Sequence, residues 1–272
     1  MHFRKLFKCF SVKKDFPTVV TFTGGTGAQI LSAAIYFSMK DTGQAVYADL
    51  SYFNSAEKKA IVGNAGECSH WSWRLDSFGL PQASFEASPG LTKRNANILW
   101  DGPEKWELGL KALAQPNIQG LFKVPADLDD LMLGKFADSF LCIHVRRGDY
   151  VNVFSHLVAD SELLGIARRF SGLVEQAVVL SDSPIESSFR STVSSYFKEA
   201  SFLDDIEPDA AHRIMRSARI LICSNSSFSL TAGALNPNAL VVIPKQWVEG
   251  SRRIEAPIQS RCSFQIIDNG RI

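Results

Sequence analysis

Phe140-Leu-Cys-Ile-His-Val-Arg-Arg-Gly-Asp-Tyr150 is the stretch that decides the fold of this 272-residue chain. Its first half is an apolar run of the kind that a strand shows when a parallel sheet is covered on both faces. Its second half supplies charged and polar residues at the end of that strand: His144, Arg146, Arg147 and Asp149. In open α/β sheets, ligands bind outside the carboxyl ends of the strands. The stretch therefore predicts a buried parallel strand that ends in a cationic site.

The two arginines of this stretch have two explanations. Side chains alternate along a strand, so His144 and Arg146 share one face while Arg147 lies on the other. Cationic groups at the end of a buried strand are costly to desolvate unless an anion meets them. An anionic ligand is one such partner. A structural ion pair, for instance between Arg147 and Asp149, is the alternative.

The segments on both sides of this strand alternate between predicted strands and helices. Downstream, the pattern predicts helices near 160–171, 185–198, 208–217 and 227–235, and strands at 177–181, 201–203, 219–224 and 240–244. Upstream, it predicts a strand at 17–23, a helix at 28–40 and a strand at 45–50. This alternation is typical of an α/β protein with parallel sheets.

The length and composition indicate an ordinary soluble globular protein with 46% apolar and 21% charged residues. A chain of 272 residues fits two domains, which we place at 17–125 and 126–272, after an N-terminal segment at 1–16. A net charge of +1 argues against nucleic-acid binding. Five widely spaced cysteines without a CxxC pair suggest neither a zinc site nor a disulfide framework, so we expect a cytoplasmic protein.

The first 14 residues have the pattern of a basic amphipathic helix. Phe3, Leu6, Phe7 and Phe10 fall on one face, and basic residues surround them. Such a helix can lie in a membrane interface, which would place the protein peripherally at the inner face of a membrane. The alternative is that these aromatic residues pack on the N-terminal domain itself.

A glycine-rich loop follows the first predicted strand. Gly24, Gly25 and Gly27 precede Gln29 and satisfy two-thirds of the dinucleotide-binding fingerprint, but Ile30 occupies the third glycine position. Close packing of helix and strand would exclude a side chain there. The loop therefore predicts a tight turn that lets a ligand approach the backbone, in preference to a nicotinamide site.

A second polar loop, Ser224-Asn-Ser-Ser-Phe-Ser229, joins the strand at 219–224 to the next helix. Its hydroxyl groups and the first backbone N–H groups of the helix form a site that attracts anions. The simpler interpretation is a helix cap formed by Asn225 or Ser226. Together with the arginines after the strand at 140–146, however, this loop provides two anion sites on adjacent strand ends, which fits a diphosphate.

An acidic pair, Asp127-Leu-Asp129, resembles the metal-binding Asp-x-Asp of some sugar transferases. The pair lies at the predicted start of a helix, where acidic residues interact favourably with the helix dipole without any metal. We therefore predict helix-capping residues here and no metal site.

These motifs, taken together, resemble those of the α-1,2-fucosyltransferases. The matching segments are Gly24–Gln29, Ala48–Tyr52, His144–Asp149, Asn225–Ser229, Gly233–Pro237 and Val242–Trp247. The resemblance covers residues 19–247 with gaps. It implies an α/β fold of the GT-B type, in which two Rossmann-like domains face a cleft.

The resemblance also implies an activity and a set of site residues. Such an enzyme moves L-fucose from GDP-fucose to a hydroxyl of a glycan or lipid-linked glycan, with inversion and without a metal or other cofactor. The implied donor-binding residues are His144, Arg146, Arg147, Asp209, Asn225, Ser226, Ser227 and Ser229. The implied acceptor-side residues are Gly24, Gly25, Gly27, Gln29 and Asp49.

The implied reaction needs two catalytic roles. Arg146 is expected to stabilise the negative charge that develops on the β-phosphate of the departing GDP. The acceptor hydroxyl needs a base or a hydrogen-bond acceptor. Asp149 and Asp49 both fit that role, and the sequence does not decide between them.

The chain departs from the family pattern at three places. Ala28 replaces an asparagine in the glycine loop, and Leu230-Thr231 replaces a tryptophan pair. Ala211 stands where the family has a carboxylate, with Asp209 two residues away. These departures leave two alternatives: a transferase-like binding or scaffold domain that has lost catalysis, or a transferase for a different GDP-sugar.

Overall fold

The computed structural model describes residues 16–54, 72–100, 103–122, 139–152, 157–204, 206–236, 239–244 and 263–267. The chain divides into two compact units, Met1–Ala112 and Leu113–Ile272. The amphipathic segment at 1–14, the acidic pair at 127–129 and the domain boundary after residue 125 lie outside the described residues. These three expectations stay predictions.

The N-terminal unit contains a three-stranded parallel sheet. Its strands are β1 (Thr18–Thr21), β2 (Val46–Asp49) and β3 (Asn97–Leu99), in the order β2-β1-β3. Its helices are α1 (Thr26–Asp41), the short α2 (Ser51–Asn54) and α3 (Pro103–Leu113), which ends at the boundary of the unit. Because the strands are parallel, their carboxyl ends share one edge of the sheet.

Aromatic residues from the loops close the core of this unit. The ring of Phe85 lies 4.9 Å from that of Phe22 and 5.5 Å from that of Trp73, between centroids. Trp73 also packs edge-on against Phe53 at 5.4 Å. The loop residues Trp73 and Phe85 thus supply part of the core of this unit.

The C-terminal unit contains a six-stranded parallel sheet with the order β6-β5-β4-β7-β8-β9. Its strands are β4 (Phe140–Val145), β5 (Gln176–Ser181), β6 (Glu199–Leu203), β7 (Ile220–Ile222), β8 (Leu240–Pro244) and β9 (Ser263–Ile267). Its helices are α4 (Pro116–Leu121), α5 (Asp160–Phe170), α6 (Ser187–Tyr196), α7 (Pro208–Ser217) and α8 (Ser227–Ala234). The predicted α/β class with parallel sheets is confirmed.

The strand order of this sheet reverses beside β4. The chain moves from β4 outward to β5 and β6, and then returns to place β7 on the other side of β4. The register pairs Ile143 with Ile222 across β4 and β7. Such a reversal opens a crevice outside the carboxyl ends of the two strands, which is where ligands bind in doubly wound sheets.

The core of the C-terminal unit explains why β4 is apolar for most of its length. All six of its residues are buried, and the same holds for β5 beside it. Leu141 and Ile143 of β4 pack in one cluster with Ile166 of α5 and Phe189 of α6. A strand covered in this way can place polar groups only at its ends, so the polar residues appear from His144 onward.

Among the described residues, no helix combines the length and the apolar character needed to cross a membrane.

A close contact between α1 and α3 generates a stability prediction. A Cβ atom on Gly109 would lie 2.7 Å from Cβ and 3.0 Å from Cα of Leu31, so Gly109→Ala forces the two helices apart. Overpacking typically costs about 1–3 kcal/mol, which outweighs the gain of about 0.5–1 kcal/mol from alanine in a helix. We expect a lower free energy of unfolding in a urea titration.

Gly165 in α5 is the matched control, because a Cβ there meets nothing within 4 Å. Gly165→Ala should raise the free energy of unfolding by about 0.5–1 kcal/mol. Equal stabilisation by both substitutions would contradict the close approach of Gly109 to Leu31.

Candidate functional site

The candidate site lies where the carboxyl ends of β4 and β7 meet. His144 is the fifth residue of β4, and Ser224 follows β7. Ser224 Oγ shares a hydrogen bond of 2.7 Å with His144 Nδ1. The structure therefore brings together the two polar loops that the sequence singled out, although they are 80 residues apart.

His144 is a buried, neutral histidine. Burial, with a smaller contribution from the charge of Arg146, lowers the pKa of His144 from 6.5 to about 3. The ring of Phe228 lies 5.7 Å from the imidazole, between centroids. At physiological pH this histidine can therefore offer hydrogen bonds to a ligand, but no positive charge.

Arg146 is held by a carboxylate that was not predicted from the sequence. Its Nη1 forms an ion pair of 2.6 Å with Oδ2 of Asp182, the residue after β5. Its guanidinium carbon also lies 5.1 Å from the centroid of the Tyr150 ring. A signal was available, since Asp182 follows a predicted strand that neighbours β4 and so reaches the same edge of the sheet.

The same carboxylate joins the loops after β4 and β5. Asp182 Oδ1 accepts a hydrogen bond from the backbone N–H of Arg147 at 2.8 Å. The backbone N–H of Gly148 donates to Ser183 Oγ at 3.1 Å. Gly148 has φ of +24°, and a Cβ there would lie 2.6 Å from Asp182 Oδ2. This position accordingly favours glycine.

Arg147 anchors the loop on the other side of the strand. Its guanidinium forms an ion pair with Asp160, the first residue of α5, and donates a hydrogen bond to the carbonyl of Arg146 at 3.0 Å. The side chain of Asp149, proposed above as a partner, lies outside what the structure describes. The geometry thus gives Arg147 a structural partner, and its contact with a donor stays a prediction.

The serine loop caps the N-terminus of α8. Ser226 Oγ accepts a hydrogen bond from the backbone N–H of Phe228 at 3.3 Å, so Ser226 is the N-cap. The hydroxyl of Ser229 is fully buried and lies within hydrogen-bond distance of the carbonyls of Ser224 and Ser226, at 3.4 Å and 3.3 Å. The buried Ser229 hydroxyl therefore connects the helix to the loop that precedes it. Ser227 is half-buried at the start of α8.

Two buried acceptor atoms near this edge make no hydrogen bond within the described residues. One is Oδ1 of Asn225, whose side chain is buried beside the N-cap. The other is Oδ1 of Asp209, in the first turn of α7. Buried acceptors normally have a donor, so these oxygens favour a ligand that supplies N–H or O–H groups.

Helices α7 and α8 pack together at the positions where the chain departs from the family pattern. His212 of α7 lies 3.3 Å from the hydroxyl of Thr231 of α8, measured from Nε2 to Oγ1. Burial, followed by the charges of Arg216 and His144, lowers the pKa of His212 well below 6.5. Ala211 and Leu230 are buried in the same region.

The predicted acceptor-side glycines lie at the start of α1. Gly24 adopts a φ of +70°, which suits glycine, and Gly25 is the residue before the helix. The helix begins at Thr26, two residues before its predicted start at residue 28, so Gly27 and Ala28 both belong to α1. Both residues are buried. Gly24 and Gly25 thus form the turn at the end of β1.

Gln29 holds this turn from behind. The side chain is fully buried, and its Nε2 donates hydrogen bonds to the carbonyls of Gly24 at 2.8 Å and Ser72 at 3.0 Å. Its Oε1 accepts the backbone N–H of Arg74 at 2.9 Å. Its amide therefore connects the glycine turn to the loop at 72–74.

Asp49 ends β2 at the same edge of the N-terminal sheet. Its Oδ1 accepts the backbone N–H of Ser51 at 3.0 Å, and the residue is partly exposed.

Among the described residues, no group of three or more His, Cys, Asp or Glu side chains is placed to hold a metal ion.

Comparison with known proteins finds one matching family model and a set of similar structures. The family model described as glycosyl transferase family 11 matches residues 122–260, about half of the chain. No curated protein matches the chain.

Three solved structures illustrate the structural similarity. POFUT1 in complex with GDP is 13% identical, with a TM-score of 0.49, over 84% of this chain and 96% of that one. A family 9 glycosyl transferase from Veillonella parvula is 11% identical, with a TM-score of 0.49, over 93% and 88%. The E. coli heptosyltransferase WaaC with ADP is 10% identical, with a TM-score of 0.46, over 93% and 94%.

The two neutral histidines generate a prediction about acid stability. The pKa values of His144 and His212 are lowered in the folded protein, whereas both are about 6.5 in the unfolded chain. Below pH 6.5 the unfolded state therefore binds more protons than the folded state. The free energy of unfolding consequently decreases as the pH is lowered. Between pH 6.5 and 5 we expect the free energy of unfolding to fall, by at most about 2 kcal/mol for each histidine, as measured by urea unfolding.

Replacement of one histidine isolates its share. His144→Gln removes one titrating group, so the free energy of unfolding should fall less steeply over this interval than in the wild type. An unchanged pH dependence in this variant would show that His144 is not buried in its neutral form.

Proposed function

Because the chain belongs to glycosyl transferase family 11, the α-1,2-fucosyltransferase family, we propose that it transfers L-fucose from GDP-fucose to a hydroxyl group of a glycan. The proposed reaction forms an α-1,2 linkage, inverts the anomeric carbon and needs no metal ion. The observation that carries this proposal is the hydrogen bond between His144 and Ser224, which brings the end of β4 beside the serine loop before α8 at the reversal in strand order.

The proposed role of this site is to accept charge from the leaving group. When the bond to fucose breaks, negative charge develops on the β-phosphate of GDP. Arg146 supplies a charge-assisted hydrogen bond to it. The hydroxyl groups of Ser226 and Ser227 and the N-terminus of α8 complete the cradle, because helix N-termini attract phosphate groups.

The nucleoside part of GDP has proposed contacts with the remaining polar groups. His144 is neutral and can hydrogen-bond to the ribose or base. Guanine carries N–H donors on its base-pairing edge, and the acceptor oxygens of Asn225 and Asp209 are candidates to receive them. Asp209 would then replace the carboxylate that is absent at Ala211.

The acceptor side of the reaction is proposed from the resemblance. Asp49 and Asp149 are the two candidates for the group that accepts the proton of the acceptor hydroxyl. Gly24, Gly25 and Gly27 would let the acceptor approach the backbone. A lipid-linked glycan is one proposed acceptor, which fits a cytoplasmic protein held at the inner membrane face through residues 1–14.

The positions that depart from the family pattern raise a second candidate function, which is an alternative to fucose transfer. Ala211 lacks a carboxylate, and Leu230 and Thr231 are buried in the packing of α8. A transferase for a different GDP-sugar, or a domain that binds the donor without catalysis, would be compatible with these changes.

We expect the purified protein to transfer fucose from GDP-fucose to a glycan in a chelating buffer, since Arg146 and α8 provide the stabilisation that a metal would otherwise supply. Mass spectrometry of reactions with several GDP-sugars and an acceptor panel measures this directly. Product from another GDP-sugar alone would support the second candidate. Binding of GDP without transfer would indicate a lapsed enzyme, and recovery of activity by manganese would refute metal independence.

We expect Arg146→Ala to weaken GDP binding by about 1.5–3 kcal/mol, the range for a hydrogen bond to a charged group. Isothermal calorimetry measures the change. Arg190→Ala is the matched control, because Arg190 also forms an ion pair in the C-terminal unit, with Asp204 on the loop after β6. Equal affinities for the Arg146 variant and the wild type would remove Arg146 from the diphosphate site.

A further inference from the structure

We propose that Asp182 is a positioning residue that fixes the guanidinium of Arg146 for the transfer step. The inference rests on the proposed function, since it concerns the same diphosphate site. Asp182 does not touch the substrate in this proposal. It acts through Arg146, by holding the cation where the charge of the leaving group develops.

The ion pair itself is short and sheltered. Arg146 Nη1 and Asp182 Oδ2 are 2.6 Å apart, and the two side chains are 17% and 23% exposed. Partial burial reduces solvent screening, so this pair restrains the guanidinium more than a surface pair would. The Tyr150 ring, 5.1 Å from the guanidinium carbon, adds a second restraint from another direction.

The second oxygen of the same carboxylate restrains the backbone. Asp182 Oδ1 accepts a hydrogen bond from the backbone N–H of Arg147 at 2.8 Å. This N–H belongs to the peptide bond that directly follows Arg146. One carboxylate therefore fixes both the guanidinium and the chain that carries it, relative to the end of β5. Gly148 permits this approach, because a Cβ there would lie 2.6 Å from Asp182 Oδ2.

Catalysis benefits when such a cation is oriented before the reaction. An arginine side chain is long and loses considerable rotamer entropy when it is fixed. A group that is already oriented toward the developing charge needs no reorganisation during the reaction. A guanidinium has five N–H donors, so an ion pair through Nη1 is compatible with a further hydrogen bond to phosphate.

Arg147 is poorly placed to take over this role. Its guanidinium is engaged by Asp160 at the start of α5, and it lies on the other side of the strand end. The two adjacent arginines thus have separate carboxylate partners. The pairing assigns Arg146 to the leaving group and Arg147 to the loop.

The chain offers a matched control pair in the same unit. Asp204 follows β6, forms an ion pair of 2.5 Å with Arg190 Nη2 and lies 3.3 Å from the backbone nitrogen of Ile185. It therefore resembles Asp182 in its chemistry and in its place after a strand. Its arginine partner belongs to α6, so it is not part of the diphosphate site.

The test is a double-mutant cycle on kcat. Asp182→Asn keeps an oxygen for the N–H of Arg147 and removes the charge that holds Arg146. We expect kcat with GDP-fucose to fall about 10- to 100-fold, the range for a misplaced catalytic group, while the KM for the acceptor changes little. Asp204→Asn should leave kcat within about twofold of the wild type.

The Arg146→Ala background separates positioning from general damage. If Asp182 acts through Arg146, the variant with both Arg146→Ala and Asp182→Asn has the same kcat as Arg146→Ala alone. Losses that multiply in the double variant would overturn the proposal, as would an Asp182→Asn enzyme with the kcat of the Asp204→Asn control.

Two further measurements keep the outcomes distinct. Circular dichroism and thermal unfolding establish that the variants are folded. If Asp182→Asn unfolds, Asp182→Glu takes its place, because glutamate keeps the charge. Asp182→Glu should retain more activity than Asp182→Ala. Equal activity of these two folded variants would overturn the inference. A wild-type protein that transfers nothing from any GDP-sugar would overturn the proposed function, and this inference with it.

Discussion

The position of β4 between β5 and β7 is the constraint on which the rest of the site depends. Because these three strands are parallel, their carboxyl ends meet at one edge of the sheet, and residues that are distant in the sequence become neighbours there. His144 contacts Ser224 across one strand boundary, and Arg146 contacts Asp182 across the other. A different strand order would separate both pairs. The candidate site therefore depends on the topology of the sheet as well as on its individual side chains.

Two kinds of compensation allow polar residues at this buried edge. His144 escapes the cost of a buried charge by remaining neutral, as its lowered pKa shows. Arg146 cannot lose its proton under ordinary conditions, so it needs a counter-charge, which Asp182 supplies. Breaking such a pair by removing one partner is more damaging than the net value of the pair suggests, because the other charge is left without compensation.

The sequence predicted most of the C-terminal unit because its strands are apolar and its helices begin and end at recognisable residues. It did not predict β3, which has three residues, or β9, which lies beyond the region of regular alternation. Arg146 and Ser226 were predicted as site residues from their places after buried strands. Asp182 was missed because a lone aspartate after a strand is also a common turn residue, and only its distance from Arg146 shows its partner. Gln29 was predicted as an acceptor-side residue; its buried amide holds the glycine turn, and a role toward an acceptor stays a prediction.

The contact between Gly148 and Asp182 has a consequence for how this protein can change over evolutionary time. Because a Cβ at position 148 would meet Asp182 Oδ2 at 2.6 Å, we expect substitutions at the two positions to be coupled. A side chain at 148 needs the side chain at 182 to shorten or turn away, which would disturb Arg146, and the φ of +24° would still strain it. Laboratory evolution that randomises position 148 alone would therefore recover mainly glycine, and other residues there are expected chiefly in a library that also varies position 182.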